Sequence, residues 1–395
     1  MKRTIGVMST IVGTSIIARL PLAMLAIAVL LHAKHVTGSY AAAGLVTGAY
    51  AVASGVGGPL LGRLVDRRGQ LLVLLPSVLL TAGLLGATAA LRVGAPLWLV
   101  MVLAAGIGLA TPPLGACVRA LVPGLTRDPE ATRVAYAVDA TAVELTWVSG
   151  PPLALLVGAV WSTGGALVVA GAVMLLGTVA FAVQPASRAW RPAPRVERGG
   201  SLRAPGMRTL VGVLVAVGVL FGSVEVAVPA ANESLSGLLM GLWGLGSLIG
   251  GIAATRRGGG AHSPAGLALV LAFLGTAHLG LVAATGSTAA LAAVLFLAGM
   301  GIAPTFASVY AMVDRVAPAG TVTEAFAWLA TAIAVGTATG AAVSGALVER
   351  TGPAASFVLA GGAGAVALLV CVLRTSSLED RPVLTTLRTL ARAAA

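Results

Sequence analysis

The chain has 395 residues, of which 58% are hydrophobic and only 10% charged, and its formal net charge is +12. A mean hydropathy of +0.99 excludes an ordinary soluble domain, whose surface needs far more polar residues. The excess of Arg and Lys is spread over short loops rather than gathered on one basic face, which excludes a nucleic-acid-binding protein.

Apolar runs of about 20 residues, the length of one membrane span, recur along the whole sequence. Lys2 and Arg3 precede a run reaching about residue 31, longer than the ~7–15-residue core of a cleaved leader. It reads as a retained helix α1, about 5–31. The pattern then places α2 at about 39–62, α3 at about 71–91, α4 at about 95–122, α5 at about 133–160 and α6 at about 163–184. A polar stretch at 185–206 holds Arg188, Arg191, Arg195, Arg198 and Arg203 against Glu197. It reads as a cytoplasmic basic linker, either laid along anionic headgroups or solvated. After it come α7 at about 207–231, α8 at about 235–255, α9 at about 264–284, α10 at about 288–315, α11 at about 321–348 and α12 at about 353–373. The expected organisation is an all-α integral membrane protein of twelve transmembrane helices. A six-helix half spans 1–184, the linker 185–206, a second half 207–374 and a cytoplasmic tail 375–395.

Charge and repetition support this layout. With the N-terminus in the cytoplasm, 21 Lys and Arg residues fall on the cytoplasmic side, Arg119 among them, 3 fall outside, and Arg19 lies within a span. Retention of positive loops in the cytoplasm explains such a bias and puts both termini there. Ala135-Tyr136-Ala137, Ala140-Thr141-Ala142 and Gly150 recur at an offset of 190 as Ala325-Phe326-Ala327, Ala330-Thr331-Ala332 and Gly340. Gly106-Ile107-Gly108 recurs at an offset of 193 as Gly299-Met300-Gly301. Two such matches near half the chain length imply duplicated halves.

The turn between α2 and α3 reads Gly62-Arg63-Leu64-Val65-Asp66-Arg67-Arg68-Gly69-Gln70. It resembles the corresponding loop of the major facilitator superfamily of secondary transporters, Gly-x-Leu-x-Asp-Arg-x-Gly-Arg/Lys. Gly62, Leu64, Asp66, Arg67 and Gly69 match, and Gln70 departs from the basic last position. The likeness is closest in style to bacterial proton-coupled efflux members. It implies a gate. Asp66 would approach the start of α11, where free N–H groups and the helix dipole favour an anion. Arg63 or Arg67 would pair with Glu324, and Gly62 and Gly69 would let the halves come close. The second half has only Arg256-Arg257-Gly258 at the corresponding place, so a one-sided gate is expected. The resemblance also implies that α1, α4, α7 and α10 line a central cavity.

Charges inside spans are costly, roughly 2.5–3.5 kcal/mol at a helix centre, and so face a cavity or a partner. Arg19 lies ~20 Å along α1, Glu144 ~16 Å along α5 and Glu225 ~27 Å along α7. Arg19 and Glu225 are the expected cavity charges. Asp139 and Glu144 are separated by ~140° around their helix. Glu144 is expected to pair with Arg19, as a structural ion pair or as a titrating one. An ionised carboxylate without a partner is disfavoured in an apolar interior, which makes Glu144 and Glu225 candidates for the coupling proton.

Gly150-Pro151-Pro152 in α5 resembles in part the Gly-Pro motif of export members, and a proline kink there is a helix pivot or a packing feature. The exporters' Arg ahead of the glycines of α4 is absent, since Arg119 stands only at the cytoplasmic end of that helix. Trp147, Trp243 and Tyr310 are possible cavity-lining side chains, whereas His278 reads as a packing residue. Cys117 and Cys371 form no disulfide or metal framework, and no phosphate-binding Gly-rich loop followed by Lys-Ser/Thr occurs. No nucleophile–base constellation points to an enzyme, and no cofactor is implied.

These readings converge on a secondary transporter exporting small, largely apolar organic compounds by proton-coupled alternating access. The alternative is proton-coupled uptake of a nutrient such as a sugar or organic acid. The partners are the lipid bilayer, a small-molecule substrate and protons, with a monomer as default. The preponderance of Arg over Lys beside heavy Ala and Gly suggests a bacterial plasma (inner) membrane.

Overall fold

The computed structural model describes residues 2–126, 128–191 and 200–379. The expectations for Arg127, for linker residues 192–199 and for the tail from 380 onward fall outside these residues.

Twelve helical segments among the described residues are long and apolar enough to cross a membrane. The helices are α1 Lys2–Thr37, α2 Tyr40–Arg68, α3 Gln70–Ala89, α5 Pro129–Val160, α6 Thr163–Ala182, α7 Pro205–Ala231, α8 Ser236–Arg256, α11 Val322–Thr351 and α12 Pro353–Leu373, with α4, α9 and α10 each built from two pieces. Local chemistry sets many of the starts. The hydroxyls of Ser39, Ser162, Ser263 and Ser287 and the carboxylate of Asp128 each accept an otherwise unpaired N–H of the first turn. Proline opens α5, α7, α9 and α12, where its missing N–H has no helical partner to lose.

The sequence pattern shows α4, α9 and α10 as continuous, and the structure breaks them. α4 runs Leu97–Ala110 and resumes at Leu114–Leu125, because Pro112 and Pro113 remove two donors from the ladder. α10 runs Thr288–Gly299 and Ile302–Val316. At the break the N–H of Gly301 turns to the carbonyl of Ala298 at 3.2 Å. α9 runs Pro264–Leu279 with a last turn at Leu281–Ala284 beyond Gly280. By contrast, Pro151 and Pro152 lie inside the unbroken α5.

Two six-helix halves result. In the first, α1 packs on α5 and α6 and α2 on α4; in the second, α7 packs on α11 and α12 and α8 on α10. The repeated glycines do the same work in both. A side chain at Gly150 would meet the Cβ of Ala23 in α1 at 2.6 Å, and one at Gly340 would meet the carbonyl of Val219 in α7 at 2.2 Å. Small residues let these membrane helices approach backbone to backbone. Across the halves, α2 and the second piece of α4 meet α11, and α5 meets α8 and α10. The connecting segment forms a short helix, Pro185–Ala189, and a single turn, Ser201–Arg203, at one end of the bundle. This is the linker end of the bundle.

Candidate functional site

The charged turn after α2 sits at the linker end against the start of α11. Both oxygens of the buried Asp66 carboxylate accept backbone N–H groups there, from Thr323 at 3.1 Å and Glu324 at 2.8 Å. These are first-turn donors with no intrahelical acceptor, so an anion from the other half satisfies them. Arg63 forks onto the next carboxylate, its Nε 3.1 Å and Nη2 2.9 Å from the two oxygens of Glu324. The Arg63 side chain is 42% exposed and that of Glu324 only 2%. Arg67 is exposed and takes no part in the ion pairs of the described residues. Gly62 permits the approach: a Cβ there would come within 3.0 Å of the backbone of Thr323 and Glu324. Gly69, at φ 88°, turns the chain from α2 into α3. The linker joins this contact, since the N–H of Ser201 donates to Glu324 at 3.3 Å.

The second half contributes to the same end, contrary to the one-sided arrangement expected from Arg256-Arg257-Gly258. Gly258 and Gly259 both have positive φ. A Cβ at Gly259 would lie 2.5 Å from the carbonyl carbon of Arg133, at the start of α5. The contact is made by backbone, so it leaves no charged signature in the sequence.

Deeper between the halves lies a buried charge cluster. Arg19 Nη2 is 2.7 Å from one oxygen of Asp139, and Arg119 Nε is 2.8 Å from the other. The three side chains are 5%, 9% and 1% exposed. Arg19 also donates to the carbonyl and hydroxyl of Ser15, one turn earlier. Arg119 lies over the Tyr310 ring, 3.9 Å from its centre, and thus reaches the second half. Tyr310, Phe326 and Tyr136 form an aromatic layer around it. The hydroxyl of Tyr136 then donates to the carboxylate of Asp314 in α10, 2.8 Å from each oxygen.

Two expectations change here. Arg19 pairs with Asp139 rather than Glu144, because Asp139 is turned toward Arg19 of α1 and Arg119 of α4 and Glu144 stands ~140° away around the helix. Arg119, counted among the cytoplasmic charges, is a buried residue of the interface. In the sequence it has the look of a boundary charge, since it stands six residues from the end of α4 and a charged turn follows.

The other expected site residues are dispersed. Glu225 is exposed on α7. Trp147 is 57% exposed, three residues beyond Glu144 on the same side of α5. Trp243 is packed inside the second half: its indole N–H donates to His278 Nε2 at 3.1 Å, and its ring stands edge-on to Phe221. Tyr310 belongs to the aromatic layer over Arg119. Gly150 holds α5 against α1, with Pro151 continuing the same helix. Among the described residues no group of three His, Cys, Asp or Glu side chains is placed to hold a metal ion.

The whole arrangement is a closed end between two halves, with a charged cluster behind it. A sequence model for the Major Facilitator Superfamily matches residues 11–323 and 230–390. Among solved structures, the chain is similar to a bacterial homologue of the iron transporter ferroportin in an outward-facing state, with a TM-score of 0.73, 17% identity, and coverage of 93% of this chain and 99% of that one. It is also similar to the human organic anion transporter MFSD10 (TETRAN), with a TM-score of 0.70, 20% identity, and coverage of 92% and 99%. At these identities the likeness concerns the fold. No curated protein matches the chain by sequence.

Proposed function

This chain belongs to the major facilitator superfamily and is a membrane transporter rather than an enzyme, and from that premise we propose that it exports small, largely apolar organic compounds in exchange for protons. The observation that carries the reading is the bond of Asp66 to the first N–H groups of α11. It ties one half to the other through a side chain that loses both partners once the halves part. Such a contact stabilises one of two arrangements without touching the substrate, which is how a gate biases alternating access. Arg63, Gly62, Gly69 and Glu324 serve the same gate.

The linker end is taken as cytoplasmic on the positive-charge bias, which places both termini inside a bacterial plasma membrane. Moving Arg119 into the interface leaves that bias intact. Glu225, exposed and outside the three ion pairs of the described residues, is the first candidate for the coupling proton, and Glu144, also outside them, the second. The apolar composition of the spans, in a chain that is 58% hydrophobic, suits an apolar substrate better than a sugar.

The test uses inverted membrane vesicles with an acid interior and a pH-sensitive dye inside. Adding an apolar substrate should release protons, and Glu225→Gln should abolish the release while leaving protein levels unchanged. Release that persists in Glu225→Gln moves the proton to Glu144. Silence in inverted vesicles together with pH-driven accumulation of sugars or organic acids in right-side-out vesicles would replace export by uptake.

A further inference from the structure

We propose that Arg19, Arg119 and Asp139 form the polar end of a site for a monoanionic, otherwise apolar organic acid. The inference rests on the transporter reading and names the substrate class it leaves open. Its starting point is charge. Two guanidiniums share one carboxylate, so the cluster carries one positive charge in excess, and all three side chains are at least nine-tenths buried. An unbalanced ion loses its hydration on burial, a loss that one further anion would offset.

The second observation is an orphan donor. Arg19 Nη1 is buried without an acceptor, although Nε and Nη2 of the same guanidinium are engaged by Ser15 and Asp139. Buried guanidinium N–H groups are satisfied in nearly all native proteins, and an exception calls for a ligand or water. Glu144 does not fill the gap, since the ion pairs of the described residues do not include it. The third observation is the wall. Tyr310 and Phe326 of the second half face Arg119, with centroid distances of 3.9 and 5.9 Å. An excess charge of one selects a monoanion, and an aromatic wall selects an apolar body. When the halves part at the linker end, Tyr310 leaves Arg119 and the site opens to that side.

Full-length protein purified in detergent is titrated calorimetrically with benzoate, benzyl alcohol and benzylammonium, which share one apolar body. Benzoate should bind at least about ten times more tightly than the other two. Arg19→Gln should weaken benzoate by about tenfold or more, and Arg19→Lys should retain part of the affinity. Asp139→Asn, which removes the negative charge shared by the two guanidiniums, should tighten benzoate severalfold, whereas a purely structural ion pair would make it weaken. Each variant is first checked for an unchanged melting profile and monodisperse elution, and where Arg19→Gln or Asp139→Asn fails this check, Arg19→Lys or Asp139→Ser is read in its place. Equal binding of all three compounds, no benzoate binding, or weakening in Asp139→Asn overturns the site. The vesicle assay separates this failure from that of the exporter reading. Proton release driven by benzylammonium without benzoate binding removes the anion site and keeps the exporter. Benzoate binding without proton release keeps the site and removes the coupling.

Discussion

The turn between α2 and α3 meets α11 through side chains, whereas the turn between α8 and α9 meets α5 through bare backbone. At the repeat offset of 193, Gly259 stands where Asp66 stands in the first half, and at 190 Arg133 stands where Thr323 does. The duplicated scaffold has therefore kept both contacts and filled them with opposite chemistry. One side offers a carboxylate to the free N–H groups of a helix start. The other removes its side chain so that two backbones touch. The gate proposed here would hold by hydrogen bonding on one flank and by close packing on the other, and the two flanks should respond differently to mutation.

Spin labels at positions 67 and 256, exposed on opposite halves, would report the distance across the linker end. The largest opening is expected for Gly259→Ala. The φ of +99° disfavours an L-residue by ~1–2 kcal/mol, and the methyl would press into Arg133 with an overpacking cost of ~1–3 kcal/mol. Together these shift the closed population by about a hundredfold. A smaller shift than that of Asp66→Ala would break the comparison, reducing the second turn to a bystander.

Asp66→Ala comes next. It leaves two first-turn N–H groups unanswered when the halves meet, a capping loss of ~0.5–2 kcal/mol, or about tenfold in the distance distribution. Asp66→Asn, which keeps an acceptor but loses the charge, should fall between wild type and Ala. Tyr136→Phe removes the hydroxyl from Asp314. A bond to a charged acceptor contributes ~1.5–3 kcal/mol when buried, and the exposure of Asp314 reduces this to about 1 kcal/mol. The expected opening is about fivefold, with no change at the Gly259 flank.

Much of this was legible in the sequence because a bilayer permits so few backbone solutions. The twelve spans follow from hydropathy, and the approach of Asp66, and of Arg63 or Arg67, to the start of α11 is what the resemblance of the turn to its superfamily implies. What escaped was set by rotation and depth. Whether Asp139 or Glu144 meets Arg19 depends on ~140° of helix rotation, which hydropathy leaves undetermined. Arg119 near the end of α4 has the sequence of a boundary residue but the surroundings of a core one, because α4 extends to Leu125. Gly259 was invisible for the opposite reason: its contact requires the absence of a side chain in a chain with 52 glycines. The breaks at Pro112-Pro113 and Gly301 lie inside apolar runs, where average hydropathy is blind to hydrogen bonding.

The smallest effect is expected at Arg63, and it distinguishes a side-chain flank from a packed one by salt. Arg63 Nη2 is 2.9 Å from Glu324, but the arginine is 42% exposed, so solvent weakens the pair to below ~1 kcal/mol. Glu324 keeps the N–H of Ser201 when Arg63 is replaced. Arg63→Gln should therefore open the linker end by no more than about fivefold in dilute buffer. In ~1 M salt, where the screening length falls to about 3 Å, wild type and variant should converge. The Gly259→Ala opening should be unchanged by salt, since it stems from steric contact between uncharged groups. A salt-sensitive Gly259→Ala would mean that Arg133 or Glu130, both at the start of α5, holds that flank through its charge, and the contrast between the two turns would collapse into one electrostatic gate.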